Sequence, residues 1–280
     1  MTPRAAVRRL VPRPARAWLR SLRTKAAIVK RYGGIRRAPV RSLVYLAANR
    51  EIDNFTYDIA NRESLAVFID GTLGLAAGSA ARFIRELDDD QAIRQVIRGA
   101  LGTRADRNRD MPFGRRLGWY AVIRARHPKV VVETGVHDGL GSIAILRALE
   151  RNAAQGFDGR LISFDVNPRA GWLIPASLRA RHDLVIGDSV ASMPGSVADR
   201  TIDVFIHDSN HSFQHESSEL ELAATAAVAN TIFMSDNAHA TTALRDFATE
   251  HELQFSFWHE SPTRHFYPGA GIGLARNSTA

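Results

Sequence analysis

From residue 111 onward, short runs of β-branched and aromatic residues alternate with segments whose apolar residues recur at helical spacing. The runs predict five strands: Val130–Thr134, Leu161–Val166, Leu184–Gly187, Ile202–Asp208 and Thr231–Ser235. The alternating segments predict three helices: Gly141–Asn152, Phe213–Ala227 and Thr241–His251. Two further runs, Phe255–Glu260 and Gly271–Arg276, have no helix between them, so they predict an antiparallel hairpin at one edge of the sheet.

Strands that alternate with helices build a mostly parallel sheet with right-handed crossovers. We therefore predict an α/β fold with a Rossmann-like, seven-stranded, mostly parallel sheet, helices on both faces and an N-terminal helical extension. Helical spacing predicts that extension at Ser64–Leu75, Ser79–Leu87 and Asp88–Leu101. The expected organisation is a basic arm over residues 1–50, a helical cap over 51–110 and the main ligand-binding domain over 111–280.

The charge of the chain is divided unevenly. Its formal net charge is +8, yet residues 1–50 hold 14 Lys and Arg side chains and no Asp or Glu. The remaining 23 basic and 29 acidic residues leave the rest of the chain at −6. The arm therefore admits three interpretations, which are a solvated segment, a contact with anionic lipid or another polyanion, and an organellar transit peptide.

Within the arm, the stretch Ala15–Tyr32 could form a basic helix. Prolines and arginines after Arg8-Arg9 interrupt any apolar stretch, so a twin-arginine export signal is not expected. We expect a cytoplasmic protein, with peripheral contact between residues 1–50 and an anionic membrane surface left open. A nucleic-acid partner is not expected, because the excess positive charge lies in the arm alone. The sequence leaves the oligomeric state open.

Composition excludes several kinds of site. With 45% hydrophobic and 24% charged residues, the chain is typical of a globular protein rather than a disordered one. The absence of cysteine excludes disulfides, cysteine-bound zinc, iron–sulfur clusters and thiol nucleophiles. The absence of cysteine therefore favours oxygen ligands for any metal site.

Glycines and carboxylates gather at the ends of the first three strands, where open α/β sheets bind their ligands. The loop ETGVHDGLGS over residues 133–142 has glycines that let the backbone approach a ligand. Asp165 ends the second strand and suits a ribose diol, while Asp188 follows the third and could accept from an adenine amino group. The candidate cofactor-binding residues are Glu133, Gly135, Gly139, Ser142, Asp165, Asp188 and Ser189.

Polar side chains also end the fourth and fifth strands. The fourth continues FIHDSNHSF with Asp208 and His211, and the fifth continues FMSDNAH with Asp236 and Asn237. Adjacent parallel strands would bring Asp208, Asp236 and Asn237 together as an all-oxygen set that suits Mg²⁺. A metal there would lower the pKa of a substrate hydroxyl, and His211 could accept its proton.

Two cofactor-binding motifs could explain the glycine pattern of this loop. Residues 139–144 match G-x-G-x-x-A, the dinucleotide fingerprint, but that fingerprint begins directly at the strand end. Here Glu133-x-Gly135-x-x-x-Gly139 intervenes, and this longer loop with an acidic residue before it resembles motif I of class I S-adenosylmethionine (SAM)-dependent methyltransferases. The resemblance implies SAM as the cofactor, and an NAD fold is the alternative.

FIHDSNHSF followed by SDNAH resembles the metal-dependent O-methyltransferase group that includes the macrocin- and mycinamicin-type sugar methyltransferases and, more distantly, catechol O-methyltransferase. The resemblance covers about residues 111–276. It implies Mg²⁺ ligation by Asp208 and Asp236-Asn237, proton abstraction by His211, and a small-molecule or sugar hydroxyl as substrate. The chain departs from the group in lacking Pro-Gly-Gly before the fifth strand, and Asn237 replaces a second carboxylate, which would weaken metal binding.

Other interpretations of these residues stay open. Asp236-Asn237 could cap the following helix. His211 and His215 are four residues apart, but Ser212 replaces the Glu of a zinc-protease motif. A serine hydrolase is disfavoured because no G-x-S-x-G elbow exists. His207 is read as a buried strand histidine and His215 as a solvated helix residue.

Two alternative functions also remain. One is a SAM-binding scaffold that associates with a membrane or polyanion through its arm, and the other is a related SAM-fold enzyme with a different reaction, as in cephalosporin hydroxylase-like relatives. We expect residues 51–120 and the loop 261–270 to shape the substrate-binding site. That loop carries Arg264, His265, Phe266 and Tyr267.

Overall fold

The structure is a computed structural model that describes residues 22–23, 25–27, 29–30, 34–48, 56–102, 111–263, 265 and 267–278. Its strands are β1 Val130–Thr134, β2 Arg160–Asp165, β3 His182–Ile186, β4 Ile202–His207, β5 Ala227–Asp236, β6 Gln254–His259 and β7 Gly271–Arg276. They form one seven-stranded sheet in the order β3-β2-β1-β4-β5-β7-β6. Strands β1 to β5 are parallel, whereas β7 runs antiparallel to both β5 and β6.

The order of the strands reverses at the centre of the sheet. From β1 the chain proceeds outward through β2 to β3, and it then returns to place β4 on the other side of β1. Ligands bind at such a reversal, outside the carboxyl ends of the strands. The predicted fold class is confirmed, and β6 and β7 form the expected hairpin at one edge.

The helices are α1 Gly34–Arg37, α2 Pro39–Ala48, α3 Arg62–Leu73, α4 Ser79–Asp88, α5 Gln91–Leu101, α6 Arg116–Arg126, α7 Leu140–Ala153, α8 Ser189–Val197, α9 Phe213–Ala224 and α10 Ala243–Glu250, with a 3-10 helix at Ala176–Arg181. Most predicted elements are present with ends that differ by a few residues. The prediction was wrong at one junction, because α9 ends at Ala224 and β5 already begins at Ala227.

The sequence pattern missed four of these helices, namely α1 and α2 in the basic arm and α6 and α8 in the rest of the chain. Helix α6 is buried nearly all round, so it lacks the polar stripe that marks an amphipathic helix. Helix α8 contains Pro194 and Gly195, residues that usually interrupt a helical pattern. Its start is nevertheless well defined, since the Asp188 side chain accepts a hydrogen bond from the Ala191 backbone N–H at 3.0 Å.

Two apolar layers cover the sheet. Successive strand residues point to opposite faces, so Val131 packs in one layer and Val132 in the other. The first layer is completed by α3 to α7 and the second by α8, α9 and α10. Helices α3, α4 and α5, which the sequence assigned to a cap, therefore share a core with the sheet. The proposed division of the chain at residues 50 and 110 stays a prediction.

The described part of the basic arm is helical at residues 22–23, 25–27, 29–30 and 34–37 and along α2. Val29 and Tyr45 form a small apolar cluster against Leu46 and Tyr267. The remaining residues of the predicted Ala15–Tyr32 helix lie outside the described residues. In the described part of the chain, no helix is both long and apolar enough to cross a membrane.

Candidate active site at the carboxyl ends of the strands

Strand register aligns the site residues along one edge. Thr134 of β1 is in register with Phe164 of β2 and with His207 of β4, and His207 is in register with Ser235 of β5. The residues that follow in each strand therefore emerge side by side. They are Gly135, Asp165, Asp208 and Asp236.

A cavity of about 460 Å³ opens at this edge. It is lined by the ends of β1 to β4 and the start of α8, namely Gly135, His137, Phe164, Asp165, Val166, Asn167, Gly187, Asp188, Ser189, Asp208, Ser209, Asn210 and His215. The glycine loop forms one wall because it folds tightly against β4. At Gly135, with φ of 83°, an added Cβ would lie 2.0 Å from the Asp208 carbonyl oxygen.

Asp165 anchors the glycine loop to the end of β2. Its Oδ2 accepts hydrogen bonds from the backbone N–H groups of Val136 and His137 at 2.9 and 2.8 Å. Its Oδ1 accepts from the Asn167 N–H at 2.8 Å. Asp165 also lines the cavity, so the carboxylate both fixes the loop and faces the space that a ligand would fill.

Two predicted cofactor residues, Glu133 and Ser142, lie behind the loop rather than in the wall of the large cavity. Glu133 is buried, and its Oε2 accepts from the hydroxyls of Ser142 at 2.6 Å and Ser163 at 2.8 Å. Its Oε1 has no hydrogen-bond partner among the described residues. Burial raises the pKa of Glu133 to about 7 against the lowering effect of both hydroxyls.

Glu133 instead lines a recess of about 30 Å³ next to the cavity. Gly135, His137 and Asp208 line both spaces. Gly139 lies at the start of α7 with φ of 101°, where a Cβ would approach Ile174 Cγ1 to 2.7 Å. The predicted loop residues are therefore close together, but Gly139 acts through packing of the loop.

Asp208, His211 and Asp236 form the candidate metal centre. Each offers one ligand atom, and these atoms all lie within 4.8 Å of one another. Asn237 completes the group in a left-handed conformation with φ of 58°, and its Nδ2 donates to Asp236 Oδ2 at 2.9 Å and to His211 Nε2 at 3.0 Å. Asp236-Asn237 does not cap the following helix, because α10 begins at Ala243 after Thr242.

Arg115, at the start of α6, is a site residue that the sequence reasoning missed. It is buried, and its Nε and Nη2 donate to the two carboxylate oxygens of Asp236, each at 2.5 Å. Its Nη1 donates to Tyr57 Oη at 2.9 Å and to Glu260 Oε1 at 3.2 Å. The only sequence signal is a pair of arginines at the start of an apolar stretch, where burial requires a charged partner.

The two carboxylates of the cluster differ in electrostatics. Burial, and then the negative charge of Asp236, raise the pKa of Asp208 well above its ordinary value. Burial would also raise the pKa of Asp236, but the charge and hydrogen bonds of Arg115 outweigh it and hold that pKa well below its ordinary value. Asp236 is therefore paired directly with Arg115, whereas Asp208 lies 3.9 Å from Arg116 Nη2 and keeps a raised pKa that favours a bound cation or a proton.

Next to the cluster, the buried carboxylate of Glu219 in α9 contacts five polar side chains. Its Oε2 lies 2.5 Å from His207 Nδ1 and accepts from the Thr134 hydroxyl at 2.8 Å. Its Oε1 accepts from the hydroxyls of Ser189 and Ser209 and lies 3.0 Å from His215 Nε2. His207 is the buried strand histidine that was expected, whereas the prediction of a solvated His215 was wrong, because it is half-buried in the cavity wall.

The loop 261–270, which is expected to shape the substrate-binding site, has a buried side chain among its described residues. His265 is buried between the rings of Tyr45 and Tyr57, at centroid distances of 4.8 and 5.0 Å. Tyr267 Oη lies 3.2 Å from His239 Nε2. Arg264 and Phe266 lie outside the described residues.

Comparison with known proteins identifies the segment that carries this geometry. Residues 132–238 match a methyltransferase-domain family. The segment runs from β1 to just beyond β5, so it contains the glycine loop and the Asp208 cluster. The prediction of a methyltransferase domain is confirmed for this segment, and the narrower sugar O-methyltransferase subgroup stays a prediction.

Several solved structures resemble the chain at low identity. Cofactor-bound Rv0187 from MTB has 18% sequence identity and a TM-score of 0.48, and the match covers 77% of this chain and 97% of that chain. SAH-bound methyltransferase PaMTH1 from Podospora anserina has 12% identity and a TM-score of 0.47, with 71% of this chain and 93% of that chain covered. SAM-bound O-methyltransferase TomG from Streptomyces achromogenes has 14% identity and a TM-score of 0.45, with 78% of this chain and 99% of that chain covered. At these identities and TM-scores, the similarity does not indicate a shared substrate. None of the curated proteins matches the chain.

Proposed function

We propose that the protein is a SAM-dependent O-methyltransferase, assisted by Mg²⁺, that acts on a hydroxyl group of a small molecule or sugar. The observation that carries this proposal is the position of Asp208, which lines the large cavity and also belongs to the cluster with His211 and Asp236. All three residues lie in the segment that matches a methyltransferase-domain family. A cofactor in the cavity and a hydroxyl at the cluster would therefore meet at one edge of the sheet.

The cavity offers the acceptors that SAM needs. Its volume of about 460 Å³ is typical of small-molecule sites. A carboxylate oxygen accepts two hydrogen bonds, so Asp165 Oδ1, with one from Asn167, can accept another from a ribose hydroxyl. Asp188 in the wall can accept from the adenine amino group, while Phe164 and Val166 supply apolar surface for the ring. Glu133 Oε1, unpaired beside the recess, suits the ammonium group of the methionine end.

Catalysis would then depend mainly on positioning, because methyl transfer is an in-line displacement. His211 Nε2 faces the cluster and accepts from Asn237 in this structure. With the metal held by Asp208 and Asp236 and the Asn237 carboxamide rotated, Nε2 would be free to accept the proton of the substrate hydroxyl. The carbon–oxygen bond forms as the carbon–sulfur bond of SAM breaks, which yields the methyl ether and S-adenosylhomocysteine (SAH). The proton on His211 then passes to solvent.

The donor set at the cluster fits Mg²⁺. Asp208 and Asp236 supply carboxylate oxygens. Burial and the charge of Asp236 keep the pKa of Asp208 raised although Arg116 Nη2 lies 3.9 Å from its Oδ2. Asn237 would bind through its oxygen only after its carboxamide rotates, because its Nδ2 now faces His211 and Asp236. The chemistry that bound Mg²⁺ supplies is Lewis-acid polarisation of the substrate hydroxyl. Arg115 holds the Asp236 carboxylate in a fixed orientation for that role.

SAH release from SAM across a panel of sugars and polyols tests the proposal. We expect release that EDTA abolishes and Mg²⁺ restores, and we expect His211→Asn to lower turnover by about 100-fold, the lower range for loss of a general base. His251→Asn is the matched control, because that exposed histidine pairs with Glu221 away from the cluster. Mg²⁺ titration by calorimetry should lose its signal in Asp208→Asn. Unchanged turnover in EDTA, together with unchanged turnover in Asp208→Asn, would remove the metal from the mechanism.

A further inference from the structure

A line of hydrogen bonds runs from the buried core to the proposed base. Glu219 Oε2 lies 2.5 Å from His207 Nδ1, and His207 Nε2 lies 3.2 Å from His211 Nδ1. Glu219 and His207 are fully buried, so water does not compete for these contacts. The line ends at His211 Nε2, which faces Asn237 and the metal cluster.

The partners of Glu219 determine where the protons lie. The hydroxyls of Thr134, Ser189 and Ser209 all donate to this carboxylate. An ionised carboxylate accepts only, so the proton in its contact with His207 resides on Nδ1. In neutral His207 the other nitrogen, Nε2, is then an acceptor, and the proton between the two imidazoles belongs to His211 Nδ1.

The other end of the line gives the same assignment. Asp236 Oδ2 can only accept, so the Asn237 amide directs its NH₂ group toward it and toward His211 Nε2. His211 Nε2 must then hold a lone pair. If the Asn237 carboxamide rotates to bind a metal, the Glu219 end still places the proton on His211 Nδ1.

We propose that Glu219 and His207 are positioning residues that hold His211 as its Nδ1–H tautomer. The Nε2 lone pair, which accepts from Asn237 in this structure, then becomes available to the substrate hydroxyl when the Asn237 carboxamide rotates. This inference rests on the proposed function, in which His211 is the base. Neutral imidazole in water favours the opposite tautomer, so a base that acts through Nε2 needs a partner for its Nδ1–H. The Glu219 carboxylate also stabilises the positive charge that appears on the histidine pair when His211 accepts the proton.

The assignment is testable on the resting protein, without SAM or substrate. Long-range ¹H–¹⁵N spectra of ¹⁵N-histidine-labelled full-length protein should show both His207 and His211 as Nδ1–H tautomers. In His207→Phe only the Asn237 contact still favours the Nδ1–H form, so His211 should become a mixture of the two tautomers. In that variant kcat should fall about 10–100-fold with the KM for SAM unchanged. Glu219→Gln is the second variant should His207→Phe fail to fold, and it should convert part of the His207 population to Nε2–H.

Thr134→Val is the matched control, because it removes another hydrogen bond to the same Glu219 oxygen but leaves the imidazoles in contact. Both histidines should keep their Nδ1–H tautomers in that variant. An Nε2–H tautomer at His211 in the unmodified protein would overturn the proposal, and so would an unchanged His211 tautomer in His207→Phe. Failure of the proposed function would appear separately, as absent SAM binding with the tautomers unaffected.

A second, independent observation concerns helix α2. Its buried side carries Ser42 and Tyr45. Its exposed side carries Val40, Leu43 and Val44, which are 72%, 61% and 49% exposed. These apolar residues recur at i, i+3 and i+4, so a complete apolar stripe faces outward, which is the reverse of an ordinary surface helix.

The positive charge around the outer stripe of α2 favours a negatively charged binding partner. Arg36 and Arg41 are exposed beside it, and residues 1–50 contain 14 basic side chains and no acidic one. The same face of a second copy would repel these charges. An apolar stripe with a cationic border instead suits the interface of an anionic bilayer, where apolar side chains enter the acyl boundary and arginines meet lipid phosphates.

We infer that the outer stripe of α2 docks on an anionic membrane surface. Co-sedimentation of the full chain should be strong with vesicles that contain phosphatidylserine and weak with pure phosphatidylcholine. Val40→Ser/Leu43→Ser/Val44→Ser should lower the bound fraction at least several-fold. The control is Val67→Ser/Val96→Ser/Val228→Ser, because these valines are also exposed but lie elsewhere.

Equal sedimentation of the two triple variants would overturn the inference. Light scattering provides the second readout. The membrane inference would be rejected if the unmodified chain binds no vesicles but forms a dimer that the α2 triple variant does not form. The outer stripe of α2 would then be the contact with a second copy.

Discussion

The neighbouring carboxylates of Asp208 and Asp236 have pKa values shifted in opposite directions, because Arg115 pairs directly with Asp236. Arg115 takes both oxygens of Asp236 and leaves Asp208 near a buried negative charge. The sequence indicated both acids, because each follows a strand and neighbouring strands end at one edge. It could not indicate Arg115, which lies 121 residues before Asp236 and reaches it only through the tertiary packing of α6.

Replacement of Arg115 should destabilise the fold strongly. Arg115→Met would leave Asp236 and Glu260 buried without their cation, at a cost of about 3–5 kcal/mol. Arg160→Met is the control, because its pair with Asp183 is far more exposed and should contribute at most about 1 kcal/mol. Urea denaturation measures both, and equal losses would refute the assigned role of Arg115.

Glu133 should make stability depend on pH. Its pKa in the folded protein is about 7 against an ordinary 4.5, so the folded state holds a proton that the unfolded state has released. Stability should therefore fall as pH rises from about 4.5 to 7, by up to about 3 kcal/mol from this group. Glu133→Gln should flatten that part of the profile in urea denaturation, and an unchanged slope would contradict the assignment.

At the level of elements, the strands were predictable because most are short runs rich in β-branched or aromatic residues. Helix α6 was not, since burial on all sides removed its periodicity, and the same omission hid Arg115. Helix α8 was hidden by Pro194, although Asp188 at its start was already a candidate. The long β5 was underestimated because its first residues, unlike Thr231–Ser235, are largely exposed.

The turn into α7 should tolerate no side chain at Gly139. Gly139→Ala combines a positive φ with a Cβ 2.7 Å from Ile174 Cγ1. Gly156→Ala is the matched control, because its φ of 93° is similar and its Cβ would meet nothing within 4 Å. The control should cost about 1–2 kcal/mol for backbone strain, and Gly139→Ala about 1–3 kcal/mol more for overpacking. Equal urea midpoints would refute the packing role of Gly139.

At the scale of the whole molecule, the net charge of +8 is the sum of two different regions. The first 50 residues are strongly basic, whereas the rest of the chain carries a net charge of −6 and holds the candidate site acids. Helices α3 to α5 were recognised from the sequence, but their sharing of a core with the sheet depends on long-range packing.

Calorimetric titration of the full chain with SAM measures whether the protein binds the proposed cofactor. We expect saturable binding of one SAM per chain, with a dissociation constant well below 1 mM. Asp165→Asn should weaken binding about tenfold or more, a loss of about 1.4 kcal/mol, because Asp165 holds the glycine loop and faces the cavity. Asp199→Asn, an exposed aspartate that does not line the cavity, should bind like the unmodified protein. The absence of any heat of binding at millimolar SAM would contradict the proposed function.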